Sequence, residues 1–149
     1  MESFLDLDAL GQAVPFLWQG LLVTLQLIVM VVPLGLVLGL GVAVLHRATP
    51  MRLRWAVEIY IDMLRAFPAL VLIILVFYGW PFLGVKLGEK TAVVLALAVA
   101  ASGYYGEIFR AAIGSVVKGQ WEAARATGFN AAQAFVYVVL PQALRRAIP

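Results

Sequence analysis

The sequence has little of what soluble enzymes are built from. It contains no cysteine and a single histidine, His46, which excludes a disulfide framework, a thiolate metal site and a two-histidine zinc motif. Charged residues make up 13% of the chain against roughly 25% in soluble domains, and hydrophobic residues make up 64% against roughly 45–50%. So few charges cannot cover a surface in water. The composition therefore indicates a chain that lies in a lipid bilayer.

Three apolar runs are long enough to cross a bilayer. About 20 helical residues cross ~30 Å of hydrocarbon, so we predict an all-α integral membrane protein with three spans, at residues 14–45, 55–80 and 91–113. Within the second run, Pro68 predicts a break between a polar half, which contains Arg65, and an apolar half.

Lysine and arginine in the short connections predict the orientation of these spans. Three arginines follow the first run and five basic residues follow or close the third, whereas only two lysines follow the second. By the positive-inside rule, we expect residues 1–13 to lie outside and residues 114–149 to lie in the cytoplasm. The net charge of +3 is then explained by the basic residues of the cytoplasmic connections, and no nucleic-acid partner is expected. The ten basic residues used in this count are, in order, Arg47, Arg52, Arg54, Lys86, Lys90, Arg110, Lys118, Arg125, Arg145 and Arg146.

Two patterns inside the runs suggest packing contacts. Gly35 and Gly39, four residues apart, predict a small-residue face that another helix can approach closely. Glu107 and Arg110, three apart on one helical face, predict an ion pair that is either structural or part of a translocation path. A similar cluster, Glu58, Asp62 and Arg65, is interpreted as interfacial helix support.

Residues 122–141, "EAARATGFNAAQAFVYVVLP", are more polar than the rest and predict a pair of short helices. We expect Glu122 to lead the first helix, Ala123 and Ala124 to offer a flat face, and Gly128 to end it in a left-handed conformation.

The second helix of this pair has its own start signal. Asn130 followed three residues later by Gln133 predicts a capping box, and we expect Pro141 to interrupt the helix. Such a pair is suited to docking into a groove of another protein. Its apolar stripe is formed by Phe135, Val138 and Val139.

The spacing of this segment resembles the EAA motif of the membrane subunits of ATP-binding cassette (ABC) importers. Five segments, at residues 20–29, 64–68, 104–113, 118–128 and 140–149, are similar in order and spacing to the polar amino acid permease branch of that superfamily. Val138 stands where isoleucine is usual, and the family's Arg-Gly-Thr-Pro is Arg-Ala-Phe-Pro here. The matching EAA positions are Glu122, Ala123, Ala124, Gly128, Val138, Leu140 and Pro141.

The resemblance implies a partial type I ABC importer permease fold in the cytoplasmic (inner) membrane. Such subunits pair as homo- or heterodimers, bind a cytoplasmic ATPase dimer through their EAA helices, and receive substrate from an extracytoplasmic amino-acid-binding protein. ATP and Mg²⁺ would then belong to the partner, and neither a cofactor, a metal nor a catalytic residue is expected on this chain. Family members continue with further spans, so the permease domain, about residues 20–149, is expected to be incomplete.

Two other functions are compatible with the composition alone. One is an energy-independent channel or small carrier, and the other is a membrane scaffold or assembly factor. Neither needs an ATPase partner, so the partner of residues 122–141 distinguishes them from a permease subunit. The transported amino acid and the choice between homodimer and heterodimer stay open.

Overall fold

The computed structural model describes residues 7–148, in which every regular element is helical, as predicted. The elements are α1 (Leu7–Ala48), a 3-10 turn (Met51–Leu53), α2 (Arg54–Ala66), α3 (Ala69–Gly79), a second 3-10 turn (Trp80–Leu83), α4 (Glu89–Gly114), α5 (Lys118–Ala126), α6 (Ala131–Gln133), a π-helical turn (Ala134–Val139) and α7 (Leu140–Ala147).

Two helices, α1 and α4, are long and apolar enough to cross a membrane. With 42 and 26 residues, they are about 63 Å and about 39 Å long. The predicted spans 14–45 and 91–113 lie inside them. Residues 7–13, which we expected to precede the first span, continue the helix of α1, and residues 1–6 lie outside the described part of the chain.

Glycines hold α1 and α4 against each other. A Cβ atom added to Gly35 would lie 2.9 Å from Cβ of Ala101, and one added to Gly39 would lie 2.5 Å from Cβ of Tyr105. On the other side of the contact, a Cβ on Gly106 would lie 3.2 Å from Cγ1 of Val42. The predicted small-residue face is therefore confirmed, because only hydrogen side chains allow this approach.

The contacts show that α1 and α4 run in the same direction. Nζ of Lys90, near the start of α4, lies 3.5 Å from Oε1 of Gln26 on α1. Further toward the C-terminal ends of both helices, Gly39 contacts Tyr105, and beyond them Ala43 packs in one cluster with Phe109. The C-terminal ends of both helices consequently lie at the same end of the bundle.

The chain between these two helices is sharply bent. Phe67 and Pro68 take extended backbone angles, with ψ of 132° and 135°, and separate α2 from α3 at an angle of 101°. The helical hydrogen-bond pattern is thus broken at Pro68, where its missing N–H predicted a break. On α4, a Cβ on Gly103 would lie 2.8 Å from Cβ of Leu64, so α2 also packs closely against α4.

After α4 the chain forms a helical hairpin, residues 118–147, which we call the EAA hairpin. Its first arm, α5, begins at Lys118, so the expectation that Glu122 leads this helix was wrong. Val117 is extended, with φ −60° and ψ 142°, and fixes the earlier start.

The second arm of the EAA hairpin is helical from residue 131 to residue 147, and the expectation that Pro141 interrupts it was also wrong. A π-helical turn directly precedes the proline, in which the N–H of Leu140 donates to the carbonyl of Phe135. The wider turn accommodates a residue that has no N–H and whose ring would otherwise clash with the carbonyl four residues back.

The close contact of α1 with α4 predicts different effects on stability for alanine at Gly39 and at Gly41. Gly39→Ala forces backbone displacement, because the new Cβ would also lie 2.9 Å from the backbone nitrogen of Gly106. We expect a loss of about 1–3 kcal/mol of unfolding free energy, measured by thermal unfolding in detergent. Gly41→Ala is the matched control, since no atom lies within 4 Å of its added Cβ; it should be neutral or stabilising. Equal melting temperatures for the two variants would contradict the contact.

Candidate functional site

The turn of the EAA hairpin is specified by backbone hydrogen bonds at the end of α5. The N–H of Gly128 donates to the carbonyl of Arg125 at 3.0 Å, and the N–H of Phe129 donates to the carbonyl of Ala124 at 3.2 Å. These two bonds form a Schellman motif, which requires a left-handed residue between helix and turn. Gly128 supplies it, with φ of +91°, a conformation that costs glycine little.

The second arm begins with the predicted capping box. The N–H of Gln133 donates to Oδ1 of Asn130 at 2.9 Å, and the N–H of Asn130 donates to Oε1 of Gln133 at 3.0 Å. Both bonds satisfy donors that a helix start leaves open.

Side-chain contacts then close the two arms against each other. The rings of Trp121 and Phe135 stack with centroids 6.1 Å apart, and Nε2 of Gln142 donates to Oε1 of Gln120 at 3.0 Å. The hairpin therefore has a defined turn and a packed interior of its own.

The second arm is packed on the end of α4. Val139 is fully buried and Ala143 is 2% exposed, in one apolar cluster with Phe109 and Ile113 of α4. Nη1 of Arg146 donates to the carbonyl of Ser115, just beyond the end of that helix. Displacement of this arm must consequently displace α4.

The first arm of the hairpin contacts α1. The guanidinium carbon of Arg47, in the last turn of α1, lies 4.4 Å from the centre of the Trp121 ring, a cation–π contact. The hairpin therefore contacts both long helices.

The seven EAA positions divide between the inside and the outside of the hairpin. Ala124 is buried, and Val138 and Leu140 are half-buried, whereas the other four are exposed. The exposed members are Glu122, Ala123, Gly128 and Pro141.

A cleft of about 440 Å³ lies between the first arm and the ends of α1 and α4. Glu122 lines it, together with the charged side chains of Arg47, Lys118 and Arg125. The exposed surface of the hairpin is consequently concave and charged beside Glu122, the first position of the EAA motif.

The two charged clusters noted in the sequence meet in a second cleft, of about 330 Å³, between α2 and α4. Its lining includes Arg65 and the predicted pair Glu107 and Arg110. This pair is bidentate, since Nε of Arg110 donates to Oε2 of Glu107 at 2.8 Å and Nη2 donates to Oε1 at 2.6 Å. The remaining lining residues are Glu58, Ile61 and Asp62.

Two contacts of the hairpin have no signal in the local sequence. Arg47 was read only as a topology charge, and its stacking on Trp121 joins residues far apart in the chain. The bond from Arg146 to Ser115 is of the same kind. Residues that close a long-range contact cannot be identified by helical periodicity or capping patterns, which report only neighbours within about one turn.

Residues 32–149 match the protein family described as binding-protein-dependent transport system inner membrane component. This chain belongs to that family. The resemblance predicted from the EAA spacing is thereby confirmed.

Two relatives of this inner membrane component are from Bacillus subtilis (strain 168). The "Probable amino-acid ABC transporter permease protein YckA" is 33% identical over 93% of this chain and 61% of its own length. The "L-cystine transport system permease protein TcyL" is 37% identical over 100% of this chain and 65% of its own length. The chain thus spans somewhat less than two thirds of these relatives.

One solved structure is similar in both fold and sequence. It is described as an amino acid ABC transporter with histidines, and it superposes with a TM-score of 0.80 at 34% identity. The match covers 97% of this chain and 68% of that chain. The helical arrangement described above is therefore that of an amino acid ABC transporter permease.

The Schellman turn of the inner membrane component predicts opposite effects for two glycines of the hairpin. Gly128→Ala places a Cβ in the left-handed region, which costs about 1–2 kcal/mol, so amides of residues 118–130 should exchange with deuterium at least about fivefold faster. Gly119→Ala, within α5, has no atom within 4 Å of its added Cβ and should slow exchange slightly. Hydrogen exchange followed by mass spectrometry measures the rates in both variants. Unchanged exchange in Gly128→Ala would be inconsistent with the turn.

Proposed function

We propose that this chain is a membrane permease subunit of an ABC importer. It moves a polar amino acid, or a related small polar solute, across the cytoplasmic membrane, and a separate subunit hydrolyses ATP. The observation that carries this proposal is the EAA hairpin, which packs on α1 and α4 by one face and exposes Glu122 on the other. Relatives named as amino-acid permeases support the class of substrate.

The proposed topology has three crossings with the hairpin in the cytoplasm. Because α1 and α4 run parallel, the chain between them must return across the membrane, and the bent pair α2–α3 is available for that crossing. Arg52 and Lys118 follow the C-terminal ends of α1 and α4, so the basic connections share one end of the bundle. The positive-inside rule makes that end cytoplasmic.

The hairpin is proposed to act as a rigid lever. ATP binding would move the ATPase subunits, and the buried contacts of Val139 and Ala143 would transmit this motion to α4. The contact between Arg47 and Trp121 would transmit it to α1. Packed contacts of this kind move as bodies rather than deform continuously, so the spans alternate between inward- and outward-facing states.

The proposed partners follow from this mechanism. The exposed part of the hairpin would bind a cytoplasmic ATPase dimer, which carries the ATP and Mg²⁺. A second permease subunit would complete the translocation path, and an extracytoplasmic amino-acid-binding protein would deliver the substrate. Membrane lipid would cover the exposed apolar surface of α1, which includes Phe16 at 74% exposure and Val29 at 72%.

We assign the Glu107–Arg110 pair a structural role at the cytoplasmic part of α4. Each charge alone would cost at least ~2.5–3.5 kcal/mol near the bilayer centre, and the bidentate contact neutralises both. The adjoining cleft beside Arg65 admits water to this pair. The break at Pro68 is proposed to let α2 and α3 tilt separately as the spans rearrange.

The coupling proposal is tested with Glu122→Lys in the complete transporter. The reversed charge lies on the exposed face of α5, so membrane insertion should be unchanged while substrate-stimulated ATP hydrolysis falls at least tenfold, the effect of about 1.4 kcal/mol. Glu89→Lys is the matched control, because it reverses an exposed carboxylate at the opposite end of α4. Stimulated hydrolysis in proteoliposomes is the measurement. Normal stimulated hydrolysis in Glu122→Lys would refute the docking role of the hairpin.

A further inference from the structure

A compact basic pocket lies where α1, α2 and α4 meet, beside the hairpin. Its volume is about 170 Å³, and four of its seven lining residues have basic side chains. His46 and Arg47 come from the last turn of α1, Arg54 begins α2, and Arg110 comes from α4. The fold therefore gathers at one point basic residues that lie in three separate helices.

Two of these four side chains already have acidic partners. Arg110 is held by Glu107, and Nε2 of His46 lies 3.0 Å from Oε1 of Glu58. Among residues 7–148, neither Arg47 nor Arg54 has a carboxylate oxygen within 4.0 Å.

The two arginines without a carboxylate still make contacts. Nε of Arg54 donates to the carbonyl of Thr49 at 3.1 Å, which leaves the other guanidinium N–H groups available, and Arg47 lies over Trp121. Two full positive charges thus remain without an acidic partner.

The partial negative charges at helix C-termini offset only part of the positive charge of the two arginines. α1 and α4 both end at the pocket, and each C-terminus is equivalent to about −0.5 of an elementary charge. Together they offset roughly one of the two arginines. The N-terminus of α2, which begins at Arg54, adds about +0.5, so the pocket keeps a net charge of about +1.5. An anion with several acceptor oxygens would match the remaining guanidinium donors.

We propose that this pocket binds the phosphate group of an anionic phospholipid. An apolar groove of about 380 Å³ lies between the same helices α1 and α2, and it can hold an acyl chain that a free phosphate does not have. Basic pockets between membrane helices on the cytoplasmic side are suited to such headgroups. The groove is lined by Val42, Leu45, Ala56, Val57 and Tyr60.

This proposal uses the membrane placement given above but not the coupling role of the hairpin. Lipid bound at the pocket would join the ends of α1, α2 and α4, next to the cation–π contact of Arg47. It would thereby stiffen the end of the bundle on which the lever acts.

Titration of the detergent-purified full chain with phosphatidylglycerol, followed by native mass spectrometry, tests the site. Arg54→Gln should weaken binding of this lipid about fivefold, whereas phosphatidylcholine binding should not change. Arg52→Gln is the matched control, because Arg52 is exposed in the same connection and does not line the pocket. Equal weakening by both variants would mean non-specific surface attraction and would overturn the proposal.

Two further arms separate the remaining outcomes. Inorganic phosphate should not displace phosphatidylglycerol; displacement would assign the pocket to free phosphate and contradict the lipid. Arg54→Lys keeps the charge but loses the planar guanidinium. Its affinity for phosphatidylglycerol should therefore lie between those of the wild type and of Arg54→Gln. If Arg54→Gln binds phosphatidylglycerol as tightly as the wild type does, the guanidinium of Arg54 does not hold the ligand, and the proposal fails.

Discussion

The close contact of α1 with α4 is the constraint on which the rest of the structure depends. Lipid tails are as apolar as leucine, so helices in a bilayer associate through van der Waals packing, which needs short distances between backbones. Gly35 and Gly39 on α1 and Gly106 on α4 provide those distances. Because the two helices run parallel, this contact also brings both of their C-terminal ends to one place. The EAA hairpin can contact both helices only because these ends are adjacent.

The EAA hairpin combines a locally specified turn with a tertiary attachment. Its Schellman turn at Gly128 and its capping box at Asn130 involve residues a few positions apart. Its attachment uses Val139 and Ala143 against α4 and Trp121 beneath Arg47. A segment that holds its own shape and is fixed at two points transmits displacement better than a flexible loop, which would absorb it. This combination suits the proposed role of the hairpin as a rigid lever.

The parts of this fold that depend on neighbouring residues could be predicted from the sequence. The two long apolar helices, the break at Pro68, the left-handed Gly128 and the capping box all have short-range causes. The 101° bend between α2 and α3 and the contact of Arg47 with Trp121 could not be predicted, because tertiary packing sets them. The prediction at Pro141 was wrong for a different reason. Proline usually interrupts a helix because its ring clashes with the carbonyl four residues back, but the π-helical turn before Pro141 removes this clash. Likewise, α5 begins at Lys118 because Val117 is extended, which capping patterns did not indicate.

The central claim is that the EAA hairpin lies on the cytoplasmic side, and cysteine labelling tests it most directly. The sequence has no cysteine, so one introduced at Ala132, exposed on the hairpin, or at Leu83, 78% exposed between α3 and α4, is the sole thiol. Intact cells are treated with a membrane-impermeant maleimide before and after permeabilisation. We expect Leu83→Cys to be labelled in intact cells and Ala132→Cys only after permeabilisation. Labelling of Ala132→Cys from outside intact cells would contradict the claim.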